Sequence, residues 1–192
     1  MLHIGVDFSI TSPCVCFWNT NKEHLFENCD FFFLKSHNKQ NDYPSNISFA
    51  DSSFSKDNSI RFSENAQVLR TEIKKRLDSS RHYAIMMEGY SMGAKGRLFD
   101  IGEATGIFKY FLSQEKINPI IIAPSVIKKN ATGKGNANKY QMLEKFLEIN
   151  SSLLESQWVK NLITEKRLQS PLTDIVDAFF IANSFTVSYD QG

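Results

Sequence analysis

LHIGVDFSITSPCVCFWNT, Leu2–Thr20, is the stretch whose reading decides the fold. Leu2–Phe8 reads as a buried strand, Cys14–Thr20 as a second, and SITSP as the turn between them. The first run ends in an acid, Asp7. A carboxylate at the end of a buried strand is costly unless something cationic compensates it.

Working outward, the aromatic-rich Asn28–Leu34 makes a third strand, so the chain opens with a predicted three-stranded antiparallel meander. Residues 36–60 are rich in Ser, Asn and Asp and read as a long polar loop or insertion. Arg61–Leu77 is a helix with an apolar stripe of Val68, Leu69, Ile73 and Leu77. Tyr83–Glu88, YAIMME, is a strand that again ends in an acid, and Gly89–Arg97 is a glycine-containing loop. Phe99–Glu115 is a helix with Ala104, Ile107, Phe108 and Phe111 on one face. Its Gly102 and Gly106 would let a neighbouring backbone come close. Pro119–Ala123 is a short buried strand, Pro124 starts a helix that breaks near TGKG, and Lys139–Ile149 is helical. Residues 150–170 mix helix and loop. Thr173–Val187 closes the chain as a helix, with Thr173 as the N-cap before Asp174. The order predicts an α/β fold: one mixed five-stranded sheet, an antiparallel meander plus parallel strands, flanked by helices.

A length of 192 residues suits a single domain over 1–192 that needs no disulfide or structural metal to hold its core. The net charge of +1 argues against a uniformly basic protein, so the distribution of charge decides. Between Lys116 and Leu143 lie five lysines (116, 128, 129, 134 and 139) and no acid, and SMGAKGR adds Lys95 and Arg97. Two loop-rich basic segments are what a phosphate-backbone partner needs, and also what two solvated polar loops look like. The cysteines Cys14, Cys16 and Cys29 form no paired framework and show no CxxC or Cys/His spacing. They read as buried inert thiols in a reducing compartment. No apolar run reaches membrane-span length and the N-terminus has no signal-type pattern, so a cytoplasmic protein is expected. The four histidines show no ligand spacing.

Asp7 and Glu88 end apolar strands, and Asp174 and Asp177 lie three apart at the start of the last helix. Singly, each has a plain reading as a turn former, a surface acid or a helix N-terminal acid. Together, at positions that one sheet edge can gather, they point to a divalent-metal site. Without metal, such a cluster repels itself and raises at least one pKa.

With these segments in order, the chain resembles the RuvC-type Holliday junction resolvases of the ribonuclease H-like nuclease superfamily. IGVDFSIT resembles the family's first strand with its catalytic Asp, and AIMMEGY the strand with its Glu. IIIAPSVIKKNATGKGNANKYQM resembles the lysine-bearing strand–helix segment, DIVDAFFIA the last helix with its two acids, and GEATGIFKYFL the helix after the Glu loop. The resemblance implies a Mg²⁺-dependent endonuclease with two ions per site, for which Mn²⁺ can substitute. Asp7, Glu88, Asp174 and Asp177 would be the metal ligands and catalytic acids. Lys128 and Lys139 would lie near the scissile phosphate, and Lys129 and Lys134 would add backbone binding. It implies an aromatic in the Glu loop for stacking on an opened base, a role open to Tyr90, with a core tyrosine as the alternative. Lys95 and Arg97 would follow the DNA backbone. DFS stands where the family has Asp-Pro-Gly, so the first hairpin departs from the pattern.

The expected function is resolution of four-way DNA junctions by paired phosphodiester hydrolysis. The expected form is a homodimer, because paired nicks on a two-fold junction require two-fold protein symmetry. Branch-migration machinery is a family-implied partner. Rival readings are a broader branched-DNA or packaging-type nuclease, a non-catalytic junction-binding module, and an actin-like ATP-binding fold, whose second lobe the chain has no room for.

Overall fold

A computed structural model describes residues 1–35, 43–80, 82–90, 98–164 and 167–185. In chain order the elements are β1 (Leu2–Asp7), β2 (Cys14–Asn19), β3 (Cys29–Lys35), β4 (Ile47–Asp51), α1 (Asn58–Leu77), β5 (Tyr83–Glu88) and α2 (Leu98–Gln114). They continue with β6 (Ile120–Ile122), α3 (Pro124–Thr132), α4 (Lys139–Ile149), α5 (Gln157–Leu162), β7 (Ile163–Thr164), β8 (Arg167–Leu168) and α6 (Leu172–Ala182). The main sheet runs β4-β3-β2-β1-β5-β6, and β7 and β8 form a separate two-stranded hairpin. The β1/β2 and β2/β3 pairs are antiparallel, and β3/β4, β1/β5 and β5/β6 are parallel.

The main sheet has six strands where the sequence predicted five. The extra strand, β4, lies inside the segment read as a polar loop. Its Ile47 is buried opposite Phe31, whereas Phe49, opposite Phe33, is exposed, as an edge strand allows. Composition hid this, because serines and asparagines surround it. Asn46 in fact helps dock the strand, since its amide donates to Phe26 O and Cys29 O at 2.9 Å each. The following helix also starts earlier than predicted, at Asn58, because the Asp57 carboxylate accepts from Ser59 N at 2.9 Å and Ile60 N at 3.3 Å.

Side chains on the two faces of the sheet build two cores. On one face Ile4, Val6, Ile85 and Met87 pack under α1 and α2 with Leu69, Ile73, Phe108 and Leu112. On the other face Cys14, Cys16, Phe31 and Met86 pack under α6 and its neighbours with Phe146, Ile175 and Phe179. Gly102 and Gly106 do not serve a close helix contact; a Cβ at either would meet open space. Residues 150–170 resolve into a short 3-10 turn (Ser151–Glu155), α5 and the β7–β8 hairpin. The last helix starts at Leu172, with Pro171 rather than Thr173 at the cap position, and ends at Ala182. Among the described residues no helix is long and apolar enough to cross a membrane.

Candidate active site

Parallel pairing sets Val6 beside Met87, so the next residues, Asp7 and Glu88, end neighbouring strands side by side. Alternation sends Gly5, Asp7, Met86 and Glu88 to the face that α6 covers. Gly5 is where the helix lands. A Cβ there would lie 2.8 Å from Ala182 Cα, and closer still to Ala178 O and Ala182 N. This close approach carries the first turn of α6, with Asp174 and Asp177 one turn apart, over the carboxyl end of β1.

The four acids feel one another. Burial raises the pKa of Asp7 well above the usual carboxylate range, and the charges of Asp177, Asp174 and Glu88 raise it further. Asp177 is pushed up to about 7 by burial, with Glu88 and Asp174 adding to the rise. Glu88 and Asp174 are raised as well, each mainly by burial. Asp174 is the best satisfied of the set: hydroxyls of Ser170, Ser12 and Thr173 bond to it and hold its rise back. These are carboxylate oxygens crowded in a low-dielectric corner, the donor set that hard divalent ions take. Among the described residues the acids do not bring three carboxylates within 4.8 Å of one another, as a one-ion cage would.

Two lysines answer this charge. Lys139 is the first residue of α4, held there by a capping box. The Asn138 side chain accepts from Tyr140 N and Gln141 N at 3.0 Å each, and the Gln141 side chain accepts from Asn138 N at 2.9 Å. Its ammonium lowers the pKa of all four acids. Lys128, half-buried on α3, does the same for Glu88 and Asp177. Lys129 and Lys134 are exposed. Lys134 lines a separate groove with Gln141, Glu144 and Lys145. Lys95 and Arg97 lie outside the described residues.

Tyr90 is not a core tyrosine: it is 42 % exposed, and Lys109 Nζ sits 5.2 Å from its ring centroid. It lines an open cleft of about 290 Å³ with Asp7, Phe8, Glu88, Ile101 and Thr105, so an aromatic face and two of the acids share one depression. Sequence reading missed the hydroxyls of Ser12 and Ser170 on Asp174. Both precede a proline, which is the signal that could have marked them as turn residues near the site. It also missed the proximity of Cys16, His24 and Cys29, whose donor atoms lie within 4.8 Å of one another. A hairpin makes this cluster, and no short sequence spacing encodes it.

A mixed sheet with antiparallel β1–β3, parallel β5 and β6, and acids at the carboxyl ends of β1 and β5 under a final acid-bearing helix defines a ribonuclease H-like architecture. Within that class the fold is the one of RuvC-type Holliday junction resolvases. Thermus thermophilus RuvC matches over 100 % of this chain and 97 % of its own, with a TM-score of 0.58 and 15 % identity. The same protein in complex with a Holliday junction substrate matches over 100 % and 96 %, with a TM-score of 0.59 and 15 % identity. A Fowlpox virus resolvase bound to Holliday junction DNA matches over 98 % and 99 %, with a TM-score of 0.47 and 13 % identity. No family model and no curated protein sequence matches the chain.

Proposed function

We propose that this chain is a metal-dependent, structure-selective endonuclease that resolves four-way DNA junctions by paired phosphodiester hydrolysis. The observation that carries the reading is the convergence of Asp7, Glu88, Asp174 and Asp177 with Lys128 and Lys139 around the carboxyl ends of β1 and β5. Asp7, on the strand between β2 and β5, would hold Mg²⁺ together with Glu88, Asp174 and Asp177. When bound, a pair of such ions activates water and neutralises the departing 3′ oxygen. Lys139 and Lys128 would offset phosphate charge as it grows during transfer. The Ser170, Ser12 and Thr173 hydroxyls work against the burial that raises the pKa of Asp174. Tyr90 would stack on an exposed base at the branch point, a contact worth ~1–3 kcal/mol.

The test is a labelled synthetic four-way junction incubated with the protein in Mg²⁺ and in EDTA. Symmetric paired nicks that vanish in EDTA are the expected outcome. Equal nicking of flaps and linear duplex would turn the reading to a broader branched-DNA nuclease, and binding without nicking would turn it to an architectural module. Paired nicking also requires a homodimer, which sedimentation of the free protein and of the junction complex would measure. A branch-migration motor is the kind of partner that would deliver such a substrate.

Binding should depend steeply on salt. With about five phosphate contacts per subunit, log K should fall with log salt at a slope of roughly −4 to −5 per subunit. A slope near zero would remove the lysines from the DNA path.

Lys139→Met should slow nicking by roughly 10²-fold, the scale of losing one preorganised electrostatic group. The same change lifts the pKa of every acid that Lys139 now lowers. The acids then keep their protons to higher pH, so the acidic limb of the pH–rate profile should move upward. An unmoved limb would place Lys139 outside the site.

A further inference from the structure

Cys16 on β2 and Cys29 at the start of β3 stand diagonally on the sheet face that α6 covers. The register pairs Trp18 with Cys29 and Cys16 with Phe31, and both thiols are free and buried. The strands are joined by a loop that folds His24 back over this pair. The His24 ring stacks on Phe179 of α6, centroids 3.8 Å apart at 19°, and leans on Trp18 at 4.4 Å. Trp18 is itself fixed, donating from Nε1 to Lys22 O at 2.9 Å.

One sulfur from each cysteine and one ring nitrogen of His24 all lie within 4.8 Å of one another. In a tetrahedral zinc centre with Zn–S of about 2.3 Å and Zn–N of about 2.0–2.1 Å, donor atoms stand roughly 3.4–3.8 Å apart. Side-chain shifts of about 1 Å would therefore close the cluster around an ion. Nε2 of His24 is buried and has no hydrogen-bond partner among the described residues. Leaving such an atom unpaired is costly, so the ring has coordinating capacity that the folded chain does not otherwise use. Burial lowers the His24 pKa to about 3, which favours the ligating neutral ring, and with a hydrogen bond to Cys29 it pushes the Cys16 thiol well up, so an ion must displace that proton.

We infer that Cys16, His24 and Cys29 form a second, thiolate–imidazole metal site that takes Zn²⁺, separate from the carboxylate site. Two sulfurs and an imidazole select a borderline-soft ion such as Zn²⁺ over Mg²⁺, whereas the acid cluster selects the reverse. On binding, each thiol releases its proton to solvent, so occupancy rises with pH and nothing is oxidised or reduced. The site would tie the β2–β3 hairpin to α6 through Phe179, two residues beyond Asp177, and so stiffen the bed of the candidate catalytic helix.

Cobalt titration of the chelator-stripped chain, under reductant, tests this without any nuclease assay. Full occupancy at one equivalent per chain is expected, with an intense thiolate-to-cobalt charge-transfer band, bleached by one equivalent of Zn²⁺ and untouched by excess Mg²⁺. Asp7→Asn should leave the band intact, Cys29→Ser should remove most of it, and His24→Ala should weaken Co²⁺ binding at least tenfold. A Cys29→Ser chain that fails to fold would be bypassed by the wild-type titration, where absence of the band overturns the site. Cobalt binding that survives Cys29→Ser and disappears with Asp7→Asn would overturn it equally, because the ion would then sit on the acids.

Discussion

Replacing Asp7 by Asn is expected to abolish Mg²⁺-dependent nicking while leaving junction binding in place and making the metal-free protein more stable above neutral pH. The first effect follows from position. Asp7 ends the strand that lies between β2 and β5, and its carboxyl feels Asp177, Asp174 and Glu88 at once. A loss of at least about 10²–10³ in rate is the scale set by removing a single electrostatic stabiliser. The second effect follows from linkage. The four acids have folded-state pKa values raised above their unfolded ones, Asp177 to about 7. The folded chain therefore binds more protons than the unfolded chain between the ordinary carboxylate pKa and those raised values. The stability this contributes is full below the unfolded pKa and is lost as pH rises through the folded ones. At pH 8, above the value of about 7 to which Asp177 is pushed, the metal-free chain carries more of the charge penalty than at acid pH, and Asp7→Asn removes part of it. A melting temperature higher by roughly 3–8 °C is expected at pH 8, and little difference is expected near pH 4. Mg²⁺ should stabilise the wild-type chain at pH 8 and the variant far less, because the ion relieves the same repulsion. Equal melting of the two chains at pH 8 would mean that Asp7 is not in an acid cluster, and full nicking by the variant would remove it from catalysis.

The acids were legible in the sequence because each sits where a local pattern ends. Asp7 and Glu88 close apolar strand runs, and Asp174 and Asp177 share a helix face at the head of an apolar helix. Parallel pairing of β1 with β5 then leaves little freedom in where the first two meet. The strand β4 was not legible, because its five residues are too few to stand out from the serines and asparagines around them, and its pairing partner β3 supplies the missing signal. Thr173 was mistaken for the cap because threonine is a good N-cap in isolation. Here Pro171 takes the cap position, and the Thr173 hydroxyl bonds to Asp174 instead. The cysteine–histidine cluster was invisible for a third reason: Cys16, His24 and Cys29 meet only because the hairpin loop folds back onto its own strands. Local periodicity reports strands and helices. It does not report a contact whose register is fixed by tertiary packing.

Among the described glycines, Gly5→Ala should be the most damaging change. The position looks innocuous in IGVD, where alanine keeps the strand pattern and has a better intrinsic strand preference than glycine. In the fold the missing Cβ is what admits α6. An alanine methyl would stand 2.8 Å from Ala182 Cα and would press on Ala178 O and Ala182 N, all of them backbone atoms that no rotamer change can move aside. The chain can respond only by lifting α6 from β1 or by distorting the strand. Either response disturbs the packing of Ile175, Ala178, Phe179 and Ala182, which are all fully buried. Overpacking of a core commonly costs about 1–3 kcal/mol, and a clash against rigid backbone belongs at or above the top of that range. A drop in melting temperature of at least roughly 6–12 °C is the matching expectation for a chain of this size. The same lift carries Asp174 and Asp177 away from Asp7 and Glu88, so Mg²⁺ stabilisation and nicking should fall together, even at temperatures where the variant remains folded. Circular dichroism melts with and without Mg²⁺, beside a nicking assay at low temperature, separate the two consequences. A variant that melts like wild type would show that α6 does not rest on Gly5. A variant that is destabilised yet nicks at the normal rate while folded would detach the seating of α6 from the chemistry, and with it the assignment of Asp174 and Asp177 to the active site.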